Sequence, residues 1–486
     1  MPPQMDSGDT AWLLVSAALV LLMTPGLAFF YGGLVREKNV IATMMQSFII
    51  IALVSVIWVL WGYSLAFGPD HGGFIGDLSW FGLRNVGGEP APYAPTVPHL
   101  AYMAFQMMFA IITPALITGA FAERAKFGAV VAFVVLWLTI VYAPVAHWVW
   151  AQNGWLGSLG GLGAYDFAGG TVVHINSALA ALAAALAFGK RLGLGRMPME
   201  PHNVPYVVLG AALLWFGWFG FNTGSAVAAG ASAANAFVVT NTAALAWVAM
   251  SWLYQGVPSV TGTATGAVAG LVAITPASGF VGAWDVAHGY INILPALIIG
   301  AGAGVICYGA ARLKHWLDAD DSLDVWAVHS MGGTWGALAT GIFATSLVTQ
   351  TPGFQGGHRG GHFWPVLLVV AAARYTKVGP NEVLIVAGRP RTVTDPAGGT
   401  RTIGYRIVWG GGTVVWPIVE QARRLSLELM SLEVRTPEVY TVHGVPVAVD
   451  GVAHVKVKGE EGAVARAAEH FLSRPQEEVM APPCRW

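Results

Sequence analysis

The sequence predicts an all-α polytopic membrane protein of ten transmembrane helices in an inverted five-plus-five repeat, followed by a small C-terminal α+β domain. Three observations carry that reading: an apolar composition, a regular succession of apolar runs, and an abrupt rise in charge density near the C-terminal end. Of 486 residues, 55% are hydrophobic and only 10% charged, with a mean hydropathy of +0.60; soluble domains carry about 25% charged residues. A bilayer is the solvent that suits such a chain. Residues 1–362 hold 25 charged side chains, whereas the much shorter stretch 363–486 holds 26. The two parts are solvated differently.

Ten apolar runs, each near the roughly 20 residues needed to cross about 30 Å of hydrocarbon, lie at 10–32, 40–67, 98–121, 127–150, 168–189, 204–222, 227–254, 259–276, 289–311 and 326–348. They are too many and too uniform to be a soluble core. The first is expected to be an uncleaved anchor, because Met1–Thr10 lacks the basic n-region and small-residue cleavage site of a signal peptide. Alternate connections hold Arg36 and Lys38, then Arg124 and Lys126, then Lys190, Arg191 and Arg196, then Arg312 and Lys314; the intervening set holds only Arg84 and Arg359. Nine basic residues against two place the N-terminus outside a cell (inner or plasma) membrane. After ten spans the chain is outside again.

The 61 glycines and many alanines suit close helix contact, which in lipid depends on small residues. Asp166 and His174 open the fifth run, and Asp324 and His329 the tenth. Paired features of this kind mark a repeat, and an odd number of spans per half inverts the second copy, placing a substrate path at the midplane. A net charge of −1 with no basic stripe excludes nucleic acid as partner. Cys307 and Cys484 cannot form a disulfide framework.

Ionisable groups inside spans are costly and usually mark a pathway or relay. Here they are chiefly His147, His174 and His329. A lone intramembrane histidine is often a hydrogen-bonded core residue, but equivalent places in two half-repeats favour a pair. A neutral imidazole offers one donor and one acceptor nitrogen, so a facing pair can share a proton and pass one along. Asp166 is a candidate helix N-cap, a role compatible with stabilising a cation nearby. Trp150, Phe109 and Phe221 are individually weak signals, since aromatics are common in membrane helices.

Five segments, taken together, resemble the ammonium transporters of the Amt/Mep/Rh superfamily. They are Ala122–Ala125, Asp166–His174, Phe216–Ser225 (FGWFGFNTGS), Gly262–Ala277 and Asp320–His329, in the family's order and spacing, within a resemblance over about 8–350. The resemblance implies an external ammonium recruitment site at Trp150, Phe109 and Ser225, a gate at Phe109 and Phe221, and a pore-lining tryptophan at Trp218. It also implies a proton relay at His174 and His329 and an ammonium-stabilising carboxylate at Asp166. A homotrimer with one pore per subunit is implied as well, with a PII-type regulator as possible partner. No enzyme, metal or cofactor is expected. Hydropathy puts His174 nearer the external edge and His329 nearer the internal one, so they meet only if both helices start below the surface; Gly169, Gly170, Gly332 and Gly333 permit such broken starts.

The C-terminal part departs from that family. Residues 1–355 read as the transporter domain and 356–377 as a Gly-rich linker with a short apolar segment, Phe363–Ala373, which is too short to span and is expected to lie at the interface or re-enter. Residues 378–389, 439–449 and 452–458 alternate as strands do, and 460–473 read as an amphipathic helix. This region, about 364–480, resembles the start of a flotillin-type SPFH (band 7) domain, truncated relative to flotillins. His443 and His454 are expected to be exposed strand residues rather than ligands. With ten spans the domain falls outside, away from PII-type regulators. An ammonium sensor using the appended domain as output, or a membrane scaffold, are the competing functional readings.

Overall fold

The computed structural model describes residues 4–157, 161–242, 252, 256, 259–282, 284–285, 290–313, 319–344, 375–394, 400–415, 421–435, 439–448, 450–460, 463–464 and 467. The chain divides into two compact units, Met1–Val366 and Leu367–Trp486.

The first unit is helical. Its helices, in chain order, are α1 (Ser7–Leu34), α2 (Glu37–Phe67), α3 (His99–Ile117), α4 (Phe127–Trp150) and α5 (Gly170–Phe188), then α6 (Val204–Gly224), α7 (Ala231–Thr242), α8 (Val260–Ile274), α9 (Leu294–Leu313) and α10, a π-helical turn Trp326–Ser330 running into Met331–Phe343. Seven of them, α1 to α6 and α9, are long and apolar enough to cross a membrane. The shorter α7, α8 and α10 fall where the seventh, eighth and tenth apolar runs stand. The end of the seventh run, the end of the tenth and the segment Phe363–Ala373 lie outside the described residues.

Capping residues set several helix starts. The Asp6 carboxylate accepts from the Asp9 amide at 2.8 Å to open α1, Asn203 accepts from Tyr206 at 3.0 Å to open α6, and Ser259 accepts from Gly262 at 3.3 Å to open α8. The first helices of the two halves run antiparallel: Asn203 N–H donates to the Gly33 carbonyl (3.0 Å) and His202 N–H to that of Val35 (3.2 Å). On the outer wall, Ile41, Val56, Leu136, Ile140 and Leu186 are more than half exposed. Apolar side chains facing outward in this density belong against lipid.

Short hairpins cover one end of the bundle: β1 (Asp70–His71) pairs with β2 (Ile75–Gly76), β3 (Pro90–Ala91) with β4 (Ala94–Pro98), and β5 (Trp284–Asp285) with β6 (Tyr290–Ile291). The four connections that carry the basic residues meet at the other end. The Arg36 guanidinium donates to both oxygens of Glu123 at 2.7–3.1 Å, Arg191 binds the Asp320 carboxylate at 3.0–3.2 Å, and Arg124 reaches the Asp320 carbonyl at 2.6 Å. Arg36, Glu123 with Arg124, and Arg191 come from alternate connections, so the spans between them do traverse the bundle. Glu123 and Asp320 side chains are almost fully buried.

That network has a pH consequence. Burial raises the Glu123 carboxyl and is outweighed by hydrogen bonds from Arg36, leaving it below its ordinary 4.5; Asp320 is likewise raised by burial but held below 3.8 by Arg191. A depressed folded-state pKa contributes stability above the unfolded value and loses it as pH falls through the folded one. Purified protein should therefore lose thermal midpoint steeply once pH drops below about 4.5. E123Q should lower the neutral-pH midpoint, by about 2–4 °C per kcal/mol lost, and flatten the acid limb. Parallel acid curves for the two proteins would contradict this account.

The second unit is built on antiparallel strands: β7 (Tyr375–Thr394) lies between β8 (Thr400–Val414) and β9 (Gln421–Ser426), while β10 (Met430–Arg435) pairs with β13 (Asp450–Val455) and β11 (Val439–Tyr440) with β12 (Pro446–Val447). Register runs from Tyr375↔Val414 to Thr394↔Thr400. The alternation read over 378–389 is the middle of β7, with Val383 and Ile385 packed against Val464, and Leu384 and Val386 against Val378. The strand read over 439–449 is instead a hairpin, because Gly444 takes a left-handed φ of +74° and reverses the chain. His443 thus sits in a turn; His454 is on β13 and exposed, its Nδ1 2.9 Å from Ser431 Oγ. The expected helix 460–473 falls mostly outside the described residues.

Candidate functional site

The site begins at two broken helix starts. Before α5, one carboxylate serves a whole helix end: Asp166 Oδ1 accepts from the amides of Gly169 (2.8 Å) and Gly170 (2.6 Å), and Oδ2 from those of Thr171 (2.7 Å) and Val172 (3.1 Å). Helix starts leave such amides without intrahelical partners. Gly169 allows the tight entry with φ +115°, a value L side chains avoid. The helix then opens as a π-turn, Gly170–Ile175, carrying His174.

The α10 start repeats the device with another aspartate. Asp321 Oδ2 accepts from the Trp326 amide at 2.7 Å, ahead of the π-turn that carries His329. Asp166 and Asp321 each precede their histidine by eight residues. The pairing of Asp166 with Asp324 is therefore corrected: Asp324 occupies a turn with φ +59°, and Asp321 is the equivalent residue. Sequence reasoning had the signal, an identical spacing, in hand.

The two histidines meet. His174 Nδ1 and His329 Nδ1 are 3.2 Å apart, their rings 5.2 Å centroid to centroid and 23° from parallel, and both are buried. Gly333 makes the approach possible, since a Cβ there would stand 2.9 Å from the Gly170 carbonyl oxygen and 3.2 Å from His174 Cβ. Its place is inside α10 at a helix crossing, not at a broken start. His174 is stacked in turn near Trp218 (5.4 Å) and Phe221 (5.9 Å). Trp218 donates its indole N–H to Thr275 Oγ1 at 2.9 Å, which fixes the ring and gives the Gly262–Ala277 segment a structural role.

Aromatic contacts continue outward. Phe221 lies 4.4 Å from Phe109, and Phe109 meets Trp150 edge to face at 5.7 Å. Both phenylalanines are fully buried, while Trp150 is half-buried and donates its N–H to the Asp166 carbonyl at 2.9 Å. Ser225 stands one turn beyond Phe221, its hydroxyl donating back to the Phe221 carbonyl at 2.8 Å. The oxygen lone pairs remain able to accept. On the inner side of Phe221 lies a narrow cavity of about 20 Å³, lined by Met23, Leu27, Ile112, Val268 and Leu323 with the two histidines. Rings from Trp150 to His329 thus form one unbroken file from a half-exposed mouth to an apolar lumen.

The profile of the Ammonium Transporter Family matches residues 11–379. The chain belongs to that family. The match to this transporter family continues past residue 350, where the motifs end. A second profile, that of the SPFH domain / Band 7 family, matches residues 376–481. An "Ammonium transporter" of Bacillus subtilis is 50% identical over 351 residues, covering 71% of this chain and 83% of its own. The crystal structure of Candida albicans Mep2 superposes with a TM-score of 0.69 at 39% identity, covering 76% of this chain and 82% of its own. A structure titled "Sensor Amt Protein" does so with a TM-score of 0.66 at 30% identity, covering 75% and 89%.

One group of residues escaped the sequence reading. The Ala122–Ala125 and Asp320–His329 segments supply Glu123, Arg124 and Asp320 to the charged network between connections. His147, singled out as an intramembrane ionisable group, is not in the ring file: its Nδ1 is 3.0 Å from the Ala66 carbonyl and its Nε2 2.8 Å from Asp70 Oδ1.

Proposed function

We propose that this chain moves ammonium across a cell membrane, recruiting it at an external aromatic mouth and conducting it through the histidine-lined lumen. The observation that carries the reading is the file of rings that ends in the His174–His329 contact. Ammonium is costly to desolvate in an apolar lumen, so it is held first where the Trp150 and Phe109 faces attract a cation and the Ser225 oxygen accepts a hydrogen bond. Asp166, although spent on backbone amides, favours the cation through space. The ion leaves its proton before Phe109 and Phe221, and ammonia passes Trp218 and the histidines. The proton either crosses between the two Nδ1 atoms or stays outside. K⁺ has no proton to give up, and this excludes it under either scheme.

On the same reading the N-terminus is external, the protein is a homotrimer with one pore per subunit, and no catalysis occurs. Residues 1–355 form the transporter domain, 356–377 the linker and 378–486 the SPFH-like domain; a PII-type regulator is the candidate cytoplasmic partner. A sensor is the second reading, favoured by the similarity to the structure titled "Sensor Amt Protein" together with the appended domain. Uptake of labelled methylammonium into proteoliposomes of the full chain separates them. A transporter gives saturable uptake that ammonium inhibits and K⁺ does not; saturable binding without uptake would reject transport in favour of sensing.

A further inference from the structure

His147 is fully buried, and both ring nitrogens face oxygen acceptors: the Ala66 carbonyl at the end of α2 and the Asp70 carboxylate on β1. The Asp70 carboxylate makes the Nε2 contact charge-assisted, and such bonds are the strong ones. Asp70 also accepts from the Gly73 amide at 2.8 Å, which fixes the turn of the β1–β2 hairpin.

The same hairpin is fastened to the end of α4 at further points. Trp148 donates its indole N–H to the Phe74 carbonyl (2.8 Å), the Trp155 amide donates to the Gly73 carbonyl (3.1 Å), and the Phe74 ring stacks on Trp155 at 6.0 Å. His147 and Trp150 are three residues apart on α4 and so lie on adjoining parts of one helix face. The Trp150 indole is itself tied to the Asp166 carbonyl, and its ring meets Phe109. A last helical turn free to fray would leave that ring's angle to Phe109 unset.

We infer that His147, paired with Asp70, is the positioning residue of the recruitment site, locking the last turn of α4 so that the Trp150 face is held ready for the cation. This inference rests on the proposed recruitment role of Trp150. His147 touches no transported species in it; it acts through Trp150.

The test uses proteoliposomes of the full chain and reads two quantities from methylammonium-evoked currents, the half-saturating concentration and the maximum. D70N and H147Q should each raise the half-saturating concentration about 5-fold, within what a misplaced cation–π ring gives up, with the maximum changed less than about 2-fold. W150L should raise it at least as far, and D70N/W150L no further than W150L, because the dyad acts through that ring. If W150L raises the value and D70N does not, or if the two effects multiply, the inference fails while the recruitment reading stands. An unchanged value in W150L overturns the recruitment reading and this inference with it. Asp70 is partly exposed, with side-chain exposure of 23%, so D70N carries the test even where H147Q does not accumulate.

Discussion

Replacing His174 or His329 with alanine is expected to cut the ammonium-evoked current of reconstituted protein about 10²-fold, the scale of a lost acid–base group. Each ring is the other's partner at 3.2 Å, and the lumen around them is lined by apolar side chains. A two-membered relay fails when either member is lost, so H174A, H329A and the double variant should be nearly equal. Ammonia flux, followed as internal alkalinisation, should survive better than current, because truncation widens an apolar passage. Unchanged current and selectivity in both single variants would mean that the histidines only pack the core.

D166A is expected to prevent accumulation of folded protein. Removing the carboxylate strands four amides at once in a buried setting, at about 1–3 kcal/mol each, which together rival the 5–15 kcal/mol total stability of a typical domain. D166N keeps one carbonyl oxygen and should be the milder variant. Membrane abundance and the elution profile in mild detergent measure both. Normal abundance and a native profile for D166A would show that the helix start has other support.

How much of this was legible in the sequence depended on whether local pattern or long-range packing set the feature. Run lengths gave the places of all ten described helices of the first unit, and the basic residues of alternate connections gave the end at which Arg36, Arg124 and Arg191 meet. Trp150, Phe109, Phe221, Trp218, His174 and His329 were named through motif matching and do form a continuous file. The meeting of the histidines did not follow from hydropathy, because it depends on the close crossing of α5 and α10 at Gly170 and Gly333, a packing contact that apolar run lengths cannot encode. Asp321 was passed over for Asp324, which lies nearer in sequence; an eight-residue reach around an irregular entry defeats habits formed on regular caps. In the second unit the alternation over 439–449 concealed a turn, since Val442, Val445 and Val447 keep the period of a strand on both sides of Gly444.

The atoms that meet between the rings are both Nδ1, and this fixes the accounting of any proton that crosses. Two neutral imidazoles carry two protons. One lies on the Nδ1–Nδ1 axis and belongs to the donor ring, whose Nε2 is bare; the other sits on the Nε2 of the acceptor ring. His174 Nε2 has no protein hydrogen-bond partner among the described residues, which suits a bare entry atom. A proton arriving there pushes the axial one across and expels the one on the far Nε2 of His329. The pair is then left with its polarity reversed, and a second proton in the same direction meets an occupied Nε2. Each crossing must be followed by a reset in which both imidazoles exchange tautomer, the His174 proton passing from Nε2 to Nδ1 and the His329 proton from Nδ1 to Nε2, so a relay through this pair would work as a ratchet with a recovery stroke, and that stroke would set a ceiling on current which ammonia flux does not share.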